Sequence, residues 1–382
     1  MINDKVERKL YVNIICFVII GLVLLTNIFH NYFSKLLYLK PDIIETSATQ
    51  IHFISVGQGD AIAIRFASGE TMLIDSGTEL YRKKLTRYLD NVVLEDNRID
   101  YLVLTHTDLD HSSNMEYIIN NYDIGTFYRP PVYSKDEGKA NYITSDSYAK
   151  IINLLKSKSI EIKFNDDDNT LTCGTAKISW LYPNIDDYID ASVTNNHSAV
   201  IIIEDNGSKA MFTGDIDSSV ETSILNTYSE NILDVDILKI AHHGSKTSTT
   251  MDFLETTSPD YAIVSVGDNT YGHPSDEVIS RIIDYDCNNN RDLYNHLYRT
   301  DIDGNIIITL GDDIIVEKLD NIDKYSFSPY WMYSILIAIF LAVIMFMPYI
   351  RLGYRTIRFI IVNARHKKKM IKNSQNQTIE NK

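Results

Sequence analysis

The chain has 382 residues, of which 45% are hydrophobic and 23% charged, a composition that excludes an intrinsically disordered polymer. Its net charge of −15 is unevenly spread: residues 1–40 carry +3, residues 330–382 carry +8, and the middle, 41–329, holds −26. So acidic a middle repels polyanions and excludes tight, extended nucleic-acid binding, though not brief hydrolytic contact with a phosphodiester.

In chain order, a short basic N-terminus (1–9) precedes LYVNIICFVIIGLVLLTNIF at 10–29, which contains no charge. At ~1.5 Å per residue this run reaches about 30 Å and crosses a hydrocarbon core, which predicts a transmembrane helix over 10–30. A cleaved signal peptide is the competing reading, but the apolar run is long for one and no Ala-x-Ala-like site follows. Residues 31–49 read as a linker. A second uncharged run, WMYSILIAIFLAVIMFMPYI, predicts another span over 330–350, with Trp331, Tyr333 and Tyr349 near its ends as interfacial aromatics. The basic tail 351–382, with Arg351, Arg355, Arg358, Arg365 and Lys367 to Lys369, marks that end as cytoplasmic. Two spans put both termini on one side, so the chain is expected as a two-pass protein of the cell membrane with its body outside.

Between the spans, residues 50–318 read as one globular body. IHFISV (51–56), AIAIRF (61–66) and TMLIDSG (71–77) are short β-type runs joined by turn chemistry. Residues 83–96 have helical spacing, with Leu85, Tyr88, Leu89 and Val92 on one face. YLVLTH (101–106) is a buried strand opening into polar residues, and MEYIINNY (115–122) the next helix. The pattern returns in 200–215, 236–244 and 261–268, which predicts an α/β sandwich with two sheets inside and helices outside. Of three cysteines, Cys16 lies in the first apolar run, and Cys173 and Cys287 are expected as buried free thiols rather than as a disulfide.

His106-Thr107-Asp108-Leu109-Asp110-His111 places four metal-binding side chains within six residues, directly after a strand. Such crowding of ionisable groups is costly unless cations compensate, and mixed imidazole and carboxylate donors suit Zn²⁺ or Mn²⁺. Asp215 ends the run KAMFTGD, where a carboxylate can bridge two ions about 3.5–4 Å apart. His242 and His243 end the run DILKIAHHG, with Gly244 permitting a sharp turn and the adjacent pair pointing two imidazoles apart.

SVGQGD (55–60), LIDSG (73–77), LTHTDLDH (104–111), TGD (213–215), LKIAHHGSKTS (238–248) and YGHPS (271–275) together resemble the metallo-β-lactamase domain of the ComEC competence family. The resemblance covers about residues 50–318 and keeps the motif order. It implies a metallo-β-lactamase αββα sandwich and a metal-dependent hydrolase with two divalent ions, Zn or Mn. It also implies that His106 and Asp108 hold one ion, Asp110 and His111 the other, and that Asp215 bridges them. Of the adjacent pair, His243 completes the second site and His242 contacts the phosphate or transition state. Asp75 orients a ligand from behind, and His273 sits near the substrate. Ser245 and Lys246 offer donors for a phosphate group, and Asp110 or Asp215 takes up the proton.

Two departures qualify the resemblance. Asp108 stands where most enzymes of the fold have a second histidine, as in extracellular phosphorylcholine esterases of this fold. The usual third-motif histidine is replaced in Asn195-Asn196-His197-Ser198, where Asn196 fits the ComEC pattern and His197 is an alternative ligand. The many-helix DNA channel of that family does not fit two spans, so hydrolysis carries over and DNA uptake does not. The expected activity is an extracytoplasmic phosphodiesterase or nuclease-like hydrolase. Its rivals are a wall-polymer or lipid head-group phosphodiesterase, and a non-catalytic membrane-tethered sensor or scaffold with a degenerate metal site.

Overall fold

The computed structural model describes residues 48–139, 142–165, 170–183 and 194–319, together with 352 and 355–365. The predicted spans 10–30 and 330–350 lie outside the described residues, as does Cys16. Among the described residues no helix is long and apolar enough to cross a membrane. The helical stretch 355–365 belongs to a separate unit, and everything below concerns the body.

Among the described residues the body has seventeen strands. In chain order they begin with β1 (Gln50–Phe53), β2 (Ile62–Arg65), β3 (Thr71–Ile74), β4 (Arg98–Val103), β5 (Asp123–Arg129), β6 (Tyr133–Ser134), β7 (Tyr142–Ile143) and β8 (Glu161–Phe164). They continue with β9 (Thr170–Cys173), β10 (Ala176–Tyr182), β11 (Val200–Asp205), β12 (Ser208–Phe212), β13 (Ile237–Lys239), β14 (Tyr261–Val264), β15 (Leu297–Arg299), β16 (Asn305–Thr309) and β17 (Ile315–Leu319). Eight form one sheet, in the order β17-β16-β1-β2-β3-β4-β5-β8, and seven a second, in the order β15-β14-β13-β12-β11-β10-β9. The two sheets share a plan. Each has antiparallel neighbours on one side and turns parallel on the other, from β3 to β8 in the first and from β12 to β15 in the second.

Three apolar seams follow from side-chain alternation along these strands. Ile51, Phe53, Ile62 and Ile64 face Ile201, Ile203, Phe212 and Ile237 between the sheets. The other face of the first sheet packs against the helices Arg82–Tyr88, Met115–Asn121 and Asp146–Ser157. The other face of the second sheet packs against Ser218–Thr227, Met251–Thr257 and Asp276–Asn289. Each of these last three helices starts at a side-chain cap, from Asp217, Thr250 and Ser275 respectively, which satisfies amide donors of its first turn. The expected layering of two inner sheets and outer helices is the one observed.

Local departures from the sequence reading have physical causes. The helical run 83–96 is an α-helix only over Arg82–Tyr88 and continues as a π-turn, Leu89–Val93, closed by Leu94 N–H donating to Leu89 O. That extra residue per turn buries Val92 and Val93 beside Leu89. The run 261–268 is a strand only to Val264, because the chain turns away after it, where the Ser265 carbonyl meets His243. Both Cys173 and Cys287 are free as expected, but Cys287 is exposed, since it lies on the outer side of helix Asp276–Asn289.

One core group gives a pH dependence. His52, fully buried in β1, has Nδ1 3.0 Å from the Tyr88 hydroxyl, and burial, with Arg65 nearby, lowers its pKa to about 3. Between the ordinary value and about 3, the unfolded chain takes a proton that the folded one refuses, so stability falls as pH falls through that window. At pH 5 this amounts to about 2 kcal/mol, from ~1.4 kcal/mol per pH unit below the ordinary histidine pKa of about 6.5. We expect the stability gap between wild type and His52→Leu to shift by about 2 kcal/mol in favour of the variant between pH 7.5 and pH 5. Denaturant unfolding at the two pH values measures it; a gap independent of pH would mean that His52 is not held neutral.

Candidate metal centre

The chemistry-bearing loops leave the carboxyl ends of adjacent parallel strands, the edge where open α/β sheets place their sites. Asp75 follows β3 and the 106–111 loop follows β4. In the second sheet, Asp215 follows β12, the histidine pair follows β13, and Ser265 follows β14. The sequence reading requires these segments to meet, and they do. Ligand atoms of Asp110, His111, Asp215 and His243 all lie within 4.8 Å of one another.

Asp215 is the centre of this group. Its Oδ2 lies 3.3 Å from His111 Nε2, 3.3 Å from His243 Nε2 and 3.8 Å from His242 Nε2. Asp110, one-third exposed, brings Oδ2 to 3.3 Å from His243 Nε2. The ring of His106 stacks 4.1 Å from that of His111 at 52°, and its Nε2 is 3.9 Å from Asp108 Oδ2 at the open side.

The imidazoles are held from behind. His111 Nδ1 is 2.7 Å from Asp75 Oδ2, and Asp75 is itself fixed by the amide and hydroxyl of Thr105 at 2.8 and 2.6 Å. His243 Nδ1 is 2.7 Å from the Ser265 carbonyl, which it can approach only as a donor. His106 Nδ1 lies 3.1 and 3.2 Å from the hydroxyls of Thr105 and Ser198, and Ser198 also accepts the Asp215 amide at 3.0 Å. Asp75, His242 and His243 all have left-handed backbone, with φ of 58°, 49° and 54°. Such conformations are costly for residues with a Cβ and collect at functional sites. The consecutive left-handed pair turns the rings of His242 and His243 67° apart.

Electrostatics follow from this packing. Burial opposes charge on Asp215, but the imidazoles of His243 and His111 outweigh it and hold the carboxyl well below the usual range. Burial likewise opposes the imidazolium at His243, yet Asp215 and Asp110 raise its pKa to about 10. His106 is driven far down by burial and by His111, so it stays a neutral donor of its lone pair.

The remaining predicted residues divide. His242 lies at the mouth, with the His273 ring 5.6 Å away and edge-on, and the exposed Tyr271 stacked on His273. The Ser245 hydroxyl lies 3.0 Å from that of Thr247 within its own loop, a pair in which either oxygen can donate, and Lys246 is exposed. At the third motif, the amide reaching the centre is that of Asn195, with Nδ2 3.4 Å from His242 Nε2. Asn196 instead hydrogen-bonds Asp217, because the short 3₁₀ helix Thr194–His197 rotates consecutive side chains apart. His197 is buried and is not among the residues whose ligand atoms cluster.

Sequence reasoning missed Asp60 and Lys239. Both are buried, Lys239 Nζ lies 2.7 Å from Asp60 Oδ2, and Asp60 sits behind the imidazoles, 4.0 Å from His111 Nδ1 and 3.6 Å from His243 Nδ1. A second acidic group, Asp60, Asp75 and His111, is also close enough to share a cation, but there the Lys239 ammonium already supplies the positive charge. The signal was present: a lysine inside the apolar strand ILK needs a buried partner.

The donor set fits divalent metal. His106 Nε2, His111 Nε2, His243 Nε2 and Asp215 Oδ1 are buried with no hydrogen-bond partner, while the Nδ1 atom of each of these rings is engaged. Orphaned buried polar atoms cost about 1–3 kcal/mol each, and a cation shared by His111, His243 and Asp215, which cluster with Asp110, satisfies three of these residues together.

Comparison with known proteins agrees. Residues 54–172 match the Metallo-beta-lactamase superfamily model. The chain is 26% identical to ComE operon protein 3 of Bacillus subtilis, over 64% of this chain and 31% of that protein. It is 26% identical to Competence protein ComA of Neisseria gonorrhoeae, over 76% of this chain and 36% of that protein. Recombination protein 2 of Haemophilus influenzae is 27% identical over 62% of this chain and 26% of its own length. The chain thus spans about a third of the length of these curated relatives. Among solved structures, the diiron β-hydroxylase CmlA from Streptomyces venezuelae is 15% identical with a TM-score of 0.43, covering 71% of this chain and 54% of that one. YhfI, a metallo-beta-lactamase fold protein from Bacillus subtilis, is 12% identical with a TM-score of 0.39, covering 66% and 95%. Residues 54–172 thus match the metallo-β-lactamase superfamily, the chain is similar to these competence proteins, and the donor cluster at the sheet edge is what a metal-dependent hydrolase of that superfamily requires.

Proposed function

We propose that the chain is a membrane-anchored phosphodiesterase whose catalytic body lies outside the cell. The observation that carries the metal-dependent half is the set of inward-facing, unpartnered Nε2 atoms of His106, His111 and His243 around Asp215. His106 and Asp108 would hold one divalent ion, and Asp110, His111 and His243 the other, with Asp215 between them. Zn²⁺ or Mn²⁺ suits such donors. When bound, the pair of ions supplies a water acidic enough to act as nucleophile near neutral pH and offsets charge on a phosphate.

The chain's own groups do the rest. Asp75 and the Ser265 carbonyl fix which nitrogen of His111 and His243 faces inward, as partners behind metal ligands commonly do. Asp110, at the open side, takes the proton from the attacking water, with Asp215 as the alternative acceptor. His242, part-exposed at the mouth, donates to a phosphate oxygen as charge develops there, and His273 and Lys246 flank that position. Asn195 supports His242, and Asn196 holds the preceding loop through Asp217.

Membrane anchoring rests on the two predicted spans and their basic flanks. The charge of −26 over 41–329 favours a short phosphodiester, such as a wall-polymer or lipid head-group linkage, over a long nucleic acid. Full-length protein freed of adventitious ions is expected to retain about two Zn or Mn per chain and to cleave bis-p-nitrophenyl phosphate. Chelation should abolish cleavage, and either metal should restore it. Metal-free protein from every preparation would instead favour a non-catalytic scaffold.

A further inference from the structure

Lys239 is a fully buried cation that the mechanism does not use, and its environment is unusual. Its Nζ contacts Asp60 Oδ2 at 2.7 Å and the carbonyls of Gly214 and Ile240 at 3.1 and 3.3 Å. These oxygens come from three segments. Asp60 ends the turn between β1 and β2 in the first sheet, Gly214 immediately precedes Asp215, and Ile240 immediately precedes the turn bearing His242 and His243. All three partners are acceptors, so the ammonium uses its three protons on three loops.

Asp60 is equally central through its backbone. Its amide donates to the Asp110 carbonyl at 3.3 Å, and its own carbonyl accepts the Gly77 amide at 2.7 Å, just beyond Asp75. One ion pair therefore links every segment that carries a proposed metal ligand in the second site.

We propose that Asp60 and Lys239 form a buried cross-sheet tie that sets the positions of the Asp110–His111, Asp215 and His242–His243 segments relative to one another. They are positioning residues, acting through the groups that would bind metal. A long apolar pair could fill the same volume, but it could not hold two backbone carbonyls and a carboxylate at fixed distances. An ammonium does so and adds positive charge beneath a group of carboxylates. The inference rests on the metal-centre reading.

The test uses the full-length chain in detergent, loaded with Co²⁺, whose visible absorption reports ligand geometry independently of turnover. Lys239→Met and Asp60→Asn each leave a buried charge unpaired and should lower thermal stability markedly. The double variant, Asp60→Asn with Lys239→Met, removes both charges and should recover most of that stability. Its Co²⁺ dissociation constant is nonetheless expected to rise at least about tenfold, with an altered Co²⁺ spectrum, because the segments are no longer tied. A double variant with wild-type Co²⁺ affinity and spectrum overturns the proposal. So does one that stays unfolded, since the pair would then be a folding determinant and not a placement device. If wild type itself takes up no Co²⁺, the metal reading fails first, which is a different outcome from failure of the tie.

Discussion

Asp215→Asn is expected to reduce hydrolysis of bis-p-nitrophenyl phosphate by about a thousandfold or more, equivalent to roughly 4 kcal/mol of transition-state stabilisation. The substitution preserves shape and changes only charge and donor pattern. That matters because Asp215 Oδ2 sits 3.3 Å from both His111 Nε2 and His243 Nε2, and no other carboxylate among the described residues pairs with both of these Nε2 atoms. A neutral amide there cannot share a cation between two donor groups, and its NH₂ would face lone pairs aimed inward. Metal analysis run beside the assay should show the variant retaining fewer ions than wild type. Activity within tenfold of wild type would remove Asp215 from the bridging position.

The sequence made the site legible where chemistry and punctuation coincide. The 106–111 loop, Asp215 and the 242–243 pair are each dense in ligands and each follow an apolar strand, so period and residue type point to the same place. The layering was legible for the same reason, since short apolar runs such as IHFI and VIII mark strands buried on both faces. Legibility ended where tertiary packing chooses between neighbours. Asn195 and Asn196 are equivalent as text, and only the rotation of a four-residue 3₁₀ helix decides which amide reaches His242. The pairing of the Ser245 hydroxyl with that of Thr247 depends on a turn that residue types do not specify. The Asp60–Lys239 pair joins positions 179 residues apart on different sheets, a distance over which local pattern carries no information. The left-handed histidines follow from a similar constraint: Gly244 packs against Pro274, where an added Cβ would come within 2.5 Å, and that contact fixes the turn from outside.

Gly59 makes the same point as a prediction. A Cβ placed there would meet the Asp110 carbonyl oxygen at 2.3 Å, with Asp110 Cβ at 3.3 Å. Gly59 is not left-handed, so alanine would suffer no backbone penalty; the obstacle is purely the approach of two main chains. No rotamer change relieves a clash with a carbonyl oxygen. The turn holding Asp60 and the short helix Leu109–Ser112 must separate, carrying Asp110 and His111 away from Asp215 and His243. We expect Gly59→Ala to cost about 1–3 kcal/mol, the usual range for overpacking, and to weaken metal retention and phosphodiester hydrolysis together by at least about tenfold. Gly311→Ala, where the nearest atom to an added Cβ is Asp313 O at 3.6 Å, should stay within about 0.5 kcal/mol of wild type and keep full activity. Should Gly59→Ala lose stability but keep wild-type metal affinity, the site would be tolerant of movement in the Asp110–His111 segment, and donor placement at the sheet edge would not be what determines its chemistry.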